Sequence, residues 1–124
     1  HDAAEPMAFY VGRGGMRVLY VTDTAEFDPP PGVVGRPTHV LIEANHRREE
    51  MELRAEFDKR SYRTSAAHLS LEGALETLRR LDLSECQNIT LLHLSDEYSD
   101  EAAFVAEVRD EFGVEVHAAQ AWAA

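Results

Sequence analysis

A single cysteine, Cys86, cannot close a disulfide within the chain. This excludes the stapled scaffolds of small secreted domains and leaves a buried, idle thiol in a reducing compartment as the expectation. No apolar run approaches the roughly 18 to 20 residues that span a bilayer, and the start lacks the basic-then-apolar layout of a signal peptide. No membrane segment and a cytoplasmic location are therefore expected. Positive charge is scarce, with 12 Lys and Arg against 23 Asp and Glu and a net charge of -11, so long-range steering of a polyanion to the bare chain is unfavourable. The opening "HDAAEP" has no Met, and residue 1 is not expected to be a translational start.

What is present suffices for one compact unit over residues 1–124. The 124 residues are 44% hydrophobic and 28% charged, close to ordinary globular usage. The charge is uneven. Residues 47–63 hold Arg47, Arg48, Arg54, Lys59, Arg60 and Arg63 against five acids, which reads first as a solvated helix surface and second as a phosphate-facing patch.

"MAFYVGRGGMRVLYVTDT" predicts two strands around a Gly-rich hairpin, and the almost continuously apolar run Met16 to Val21 predicts a second strand buried on both faces. "AEFDPPPGVVGRP" is a loop, since its prolines lack backbone donors. "THVLIEAN" is a third strand ending at Glu43 and Asn45, and "NITLLHL" a fourth ending at His93. "HRREEMELRAEF" predicts a helix with a blurred apolar stripe. In "SLEGALETLRRLD" the spacing of Leu71, Ala74, Leu75, Leu78 and Leu81 predicts a helix capped by Ser70, with His68 just before it. "SDEAAFVAEVRDEFG" predicts a helix stopped by Gly113, and "VEVHAA" a last strand. The order β-β-β-α-α-β-α-β describes a layered α/β sheet with helices packed on a face. The string His-Leu-Ser occurs at both His68 and His93, once before a helix and once at a strand end, so it is not a structural repeat.

In open α/β sheets ligands gather where strands finish, which singles out Asp23, Glu43, Asn45 and His93. A carboxylate and an imidazole meeting there could hold a divalent metal, although each alone reads first as a turn cap or polar terminus. His46 and His117 read as structural or surface residues.

The segments "HDAAEP", "LYVTDT", "LIEANH", "AAHLSLE" and "LLHLSDEYSD", in that order, resemble the C-terminal half of the metallo-β-lactamase-fold hydrolases. The likeness is to the YycJ-like exonucleases near the phosphodiesterase branch. It implies half of an αββα sandwich, one mixed sheet with helices on one face, serving a metal-dependent phosphodiesterase or nuclease that carries two divalent ions, zinc or manganese. It further implies that His1, Asp23 and His93 are metal ligands, with Asp23 bridging. Glu43 and Asn45 would lie at the rim, and His68 would contact the scissile phosphate or protonate the leaving oxygen. Paired ions can hold a hydroxide nucleophile, and an imidazole before a helix N-terminus suits an anion and a proton transfer.

The family's His-x-His-x-Asp-His string, which supplies most ligands, is absent here. The expected partner is therefore an N-terminal half of the same fold, in the same gene or on a separate chain. Nucleic acid or a small phosphodiester would be the substrate. A sheet face left without that half would be too apolar to be idle, and self-association through it is a further expectation. The alternatives are a degenerate half-domain serving as a binding or assembly module, and a hydrolase of small phosphate esters or cyclic phosphodiesters.

Overall fold

The structure is a computed structural model that describes residues 7–22, 27–30, 32–54, 68–95 and 99–119. Their strands are β1 (Met7–Arg13), β2 (Met16–Thr22), β3 (His39–Glu43), β4 (Asn88–Leu92) and β5 (Glu115–Ala118). Their helices are α1 (Arg48–Arg54), α2 (Leu71–Arg79) and α3 (Glu101–Phe112). The strands form one mixed sheet in the order β1-β2-β3-β4-β5. β1 runs antiparallel to β2 through the hairpin at Gly14, whose φ of 61° glycine adopts without a steric penalty. β2, β3, β4 and β5 are mutually parallel. The crossovers between β3 and β4, and between β4 and β5, carry the helices, as parallel connections require.

Helix ends follow local chemistry. The Ser70 hydroxyl accepts from the Gly73 amide at 3.0 Å and caps α2, and the Asp100 carboxylate accepts from Ala103 at 3.1 Å to cap α3. Gly113 ends α3 in the left-handed conformation and donates its amide to the Arg109 carbonyl.

Leu19, Val21, Val40, Ile42, Ile89, Leu91 and Val116 point from one sheet face into a core completed by Leu71, Ala74, Leu78, Phe104 and Val108. Each such side chain contributes roughly 1.5–3 kcal/mol on burial. The opposite face is more open. Val18 and Tyr20 are only half-buried, Met16 is 53% exposed and, on β1, Phe9 and Val11 are 52% and 61% exposed. The expectation that β2 is buried on both faces is thus corrected. Among the described residues α2 and α3 pack on one face, so burial alternates along the pleat despite the nearly continuous apolar run.

Arg47 and Arg48, from the basic stretch, pair with acids on the other helices. Arg47 bonds Glu107 and lies 5.2 Å over the Phe104 ring, while Arg48 reaches Glu76 at 3.5 Å. This is the mixed-charge helix surface of the first reading; residues 55–63 lie outside the described set. Cys86 is half-buried, bonds the Asn88 carbonyl, and burial pushes its thiol up, which keeps it unreactive. Among the described residues no helix is long and apolar enough to cross a membrane.

Candidate metal and proton-transfer site

Parallel register delivers the site. Val21 pairs with Ile42 and Glu43 with Leu92, so the residues at and just past these positions, Thr22, Glu43 and His93, arrive together at the C-terminal ends of adjacent strands. Glu43 lies on the open-face side of the pleat, yet its side chain is wholly buried. A buried carboxylate is tolerated only when its oxygens accept hydrogen bonds. One oxygen accepts from the Thr22 hydroxyl at 3.1 Å and faces His93 Nδ1 at 3.0 Å. The other accepts from the Leu69 amide at 2.8 Å and faces His68 Nδ1 at 2.9 Å.

These contacts assign the histidine protons. An ionised carboxylate only accepts, so each Nδ1 donates, and His93 Nδ1 shares its proton with the Thr22 oxygen 3.0 Å away. Nε2 then remains on each ring as the atom able to meet a metal or a substrate, and neither Nε2 has a hydrogen-bond partner among the described residues. The rings stand edge to face with centroids 6.4 Å apart, His68 the more sheltered of the two. Glu43, His68 and His93 each offer a ligand atom within 4.8 Å of the others, so the cluster could hold a metal ion in place of the Nδ1 protons. Its donor set, two imidazoles and one carboxylate, suits zinc, manganese or iron equally. A carboxylate behind an imidazole is also the usual means of orienting a metal-bound histidine.

His68 and Glu43 therefore meet directly, and His93 joins them. The two His-Leu-Ser strings converge on one carboxylate from opposite sides. Glu43 lies beneath both imidazoles, deeper than the rim position that the resemblance implies. Asn45 lies beyond the end of β3, its amide donating to the His93 carbonyl at 2.9 Å. His1 and Asp23 lie outside the described residues. His46, read as structural or surface, is buried, and desolvation pushes its imidazole below the usual histidine range.

At the start of α2 three backbone donors are already engaged. The Leu69 amide is spent on Glu43, the Leu71 amide on the His46 carbonyl and the Gly73 amide on Ser70, because a buried helix end must satisfy its own donors. Thr22 was not singled out by sequence. Its signal was present, since Val18, Tyr20 and Thr22 share one face of β2, but an apolar strand that closes on threonine is too common to stand out.

No protein-family model matches the sequence, and no curated protein matches it.

Proposed function

We propose that the chain is the C-terminal half of a metal-dependent phosphodiesterase of the metallo-β-lactamase fold, acting together with an N-terminal half of that fold. The observation that carries this reading is the buried Glu43 carboxylate holding His68 and His93 by Nδ1 at the C-terminal strand ends, where α/β sheets place their ligands. His93 serves through Nε2 as a metal ligand beside His1 and Asp23, and Glu43 fixes its ring orientation. His68, held at Nδ1 by the other oxygen of Glu43, takes a proton from solvent at Nε2, passes it to the departing alkoxide and returns to the Nδ1–H form. Its partial exposure lets a phosphodiester approach while Thr22 and Leu69 keep the carboxylate in place. Bound divalent ions, zinc or manganese, would supply the activated hydroxide and neutralise charge on the phosphoryl oxygens. The open sheet face bearing Phe9, Val11 and Tyr20 is where the N-terminal half packs. The acidic surface favours a small phosphodiester over a long polyanion.

The test is to extend the polypeptide upstream to include a His-x-His-x-Asp-His string and assay bis(p-nitrophenyl) phosphate with manganese or zinc. The extended protein should hydrolyse it, the 124-residue chain should not, and His68→Ala should lower kcat roughly 10²–10⁴-fold. An upstream frame without the string, or an extended protein that neither holds metal nor hydrolyses the ester, would sink this reading. The exposed Phe9, Val11 and Met16 support a second one, an assembly module that pairs through its hairpin and needs no metal. Metal retained stoichiometrically and lost on Asp23→Ala would exclude it.

A further inference from the structure

His93 has φ 52°, the sole positive φ at a non-glycine residue among those described. Left-handed backbone is disfavoured for L residues, although histidine tolerates it better than most, and it persists where surrounding contacts over-determine it. Glu43 and Thr22 hold the ring, and the contacts to the backbone around it come from Asn45. The Asn45 side-chain amide donates to the His93 carbonyl at 2.9 Å, and the Asn45 carbonyl accepts from the Ser95 amide at 2.9 Å. The Asn45 amide donates to the Leu69 carbonyl at 2.8 Å, so the same residue also grips the segment that bears His68. The side chain is itself oriented, because buried His46 places Nδ1 3.0 Å from Asn45 Oδ1 and so turns Nδ2 toward His93.

We propose that Asn45 is a positioning residue, whose side-chain amide holds His93 in its left-handed conformation and so presents that imidazole to Glu43. The proposal rests on the proposed function for its meaning, but its geometry does not depend on it. Main-chain bonds from Asn45 serve both histidine segments, whereas the side-chain amide serves His93 alone. Losing only the amide should therefore release one ring and not the other. Asn45→Asp keeps an oxygen for His46 and turns the donor to His93 into a charged acceptor facing the carbonyl, whereas Asn45→Ala removes both side-chain contacts without adding charge.

Long-range proton–nitrogen spectra of the metal-free 124-residue protein read the tautomer of each imidazole. The unaltered protein should show Nδ1–H for both His68 and His93. In Asn45→Asp and Asn45→Ala, His93 should pass to a mixture of tautomers while His68 keeps its signature. Unchanged spectra in a folded variant, or equal disturbance of both rings, would overturn the proposal. A melting cycle supplies a second readout. Asn45→Ala should lower Tm by less in a His93→Gly background, because glycine takes positive φ without help, and equal losses in both backgrounds would overturn it. Neither measurement uses metal or turnover. An extended protein inactive on bis(p-nitrophenyl) phosphate that still shows the selective His93 response would retain the positioning role and lose the phosphodiesterase.

Discussion

The two ends of strands β2, β3 and β4 both gather polar side chains, and they do so by opposite means. At the C-terminal end one buried carboxylate, Glu43, draws in a hydroxyl, a backbone amide and two imidazoles. At the N-terminal end Arg17 bonds Glu85 at 2.6 Å, and Arg36 bonds Asp82 at 3.0 Å and Glu85 at 3.3 Å, all at least partly in solvent. Among the described residues more ion pairs lie at the N-terminal end, yet energetic consequence is concentrated at the other. Water can replace a lost partner for an exposed guanidinium, but not for the Leu69 amide or a carboxylate with no exposed surface. Polar groups that cannot fall back on water are the ones whose geometry is fixed, and fixed geometry is what a reaction or a metal needs.

The contrast breaks most readily at Glu43. Glu43→Ala removes the shared acceptor and strands the donors around it, and should cost about 3–5 kcal/mol in urea unfolding, the usual penalty for breaking a buried pair from one side. Metal uptake by the cluster, measured as bound zinc or manganese per chain, should vanish with it. A folded Glu43→Ala protein of unaltered stability would mean that the two strand ends do not differ as described. Thr22→Val is the milder form of the same experiment. It keeps shape and removes one hydroxyl bonded to both Glu43 and His93, and should cost about 1–2 kcal/mol while leaving the denaturant slope unchanged.

The C-terminal end was partly legible in the residues themselves. Glu43 and His93 stood out because a carboxylate and an imidazole close apolar, β-branched runs, and Ser70 and Gly113 marked helix ends through capping chemistry that acts within a few residues. The depth of Glu43 and its bond with Thr22 were not legible, and the meeting of both His-Leu-Ser segments was implied only by the family resemblance. They depend on register between strands far apart in the chain, with Ile42 beside Val21 and Leu92 beside Glu43, and no local period encodes that. The left-handed turn at His93 was hidden for a related reason. No glycine flags it, and the group opposite, Asn45, lies 48 residues away. The double burial expected for β2 failed because an apolar run reports what a face could cover, not what packs on it.

Acidification sharpens the comparison with a smaller effect. Burial holds the His46 imidazole below its ordinary value of 6.5, so the folded protein resists a proton that the unfolded chain accepts. Above pH 6.5 both states are neutral at this site and stability is insensitive to it. As pH falls through 6.5 toward the depressed folded value, the unfolded chain binds protons first and stability declines. Tm measured from pH 7.5 down to about pH 5 should therefore fall less steeply in His46→Asn, which keeps a donor for Asn45 without the titration. Parallel slopes would show that His46 is no more sheltered from protons than an exposed imidazole.

The smallest effect is expected at the N-terminal end. The Arg36 guanidinium is raised above its ordinary value, first by its hydrogen bond to Glu85, and the Asp82 carboxyl is held low, first by the Ser84 hydroxyl and only later by Arg36. Asp82 thus keeps its best partner when the arginine is gone. Both side chains are about half-exposed or more, so water and counterions take over the lost contacts. Arg36→Ala should move Tm by an amount near the scatter of the measurement, and the residual difference should disappear in 1 M salt, where screening acts within about 3 Å. If Arg36→Ala instead lowers Tm as far as Thr22→Val, and the loss survives high salt, the Arg36, Asp82 and Glu85 network carries structural weight comparable to the buried site. The division between the two ends of the sheet would then rest on chemistry other than exposure to water.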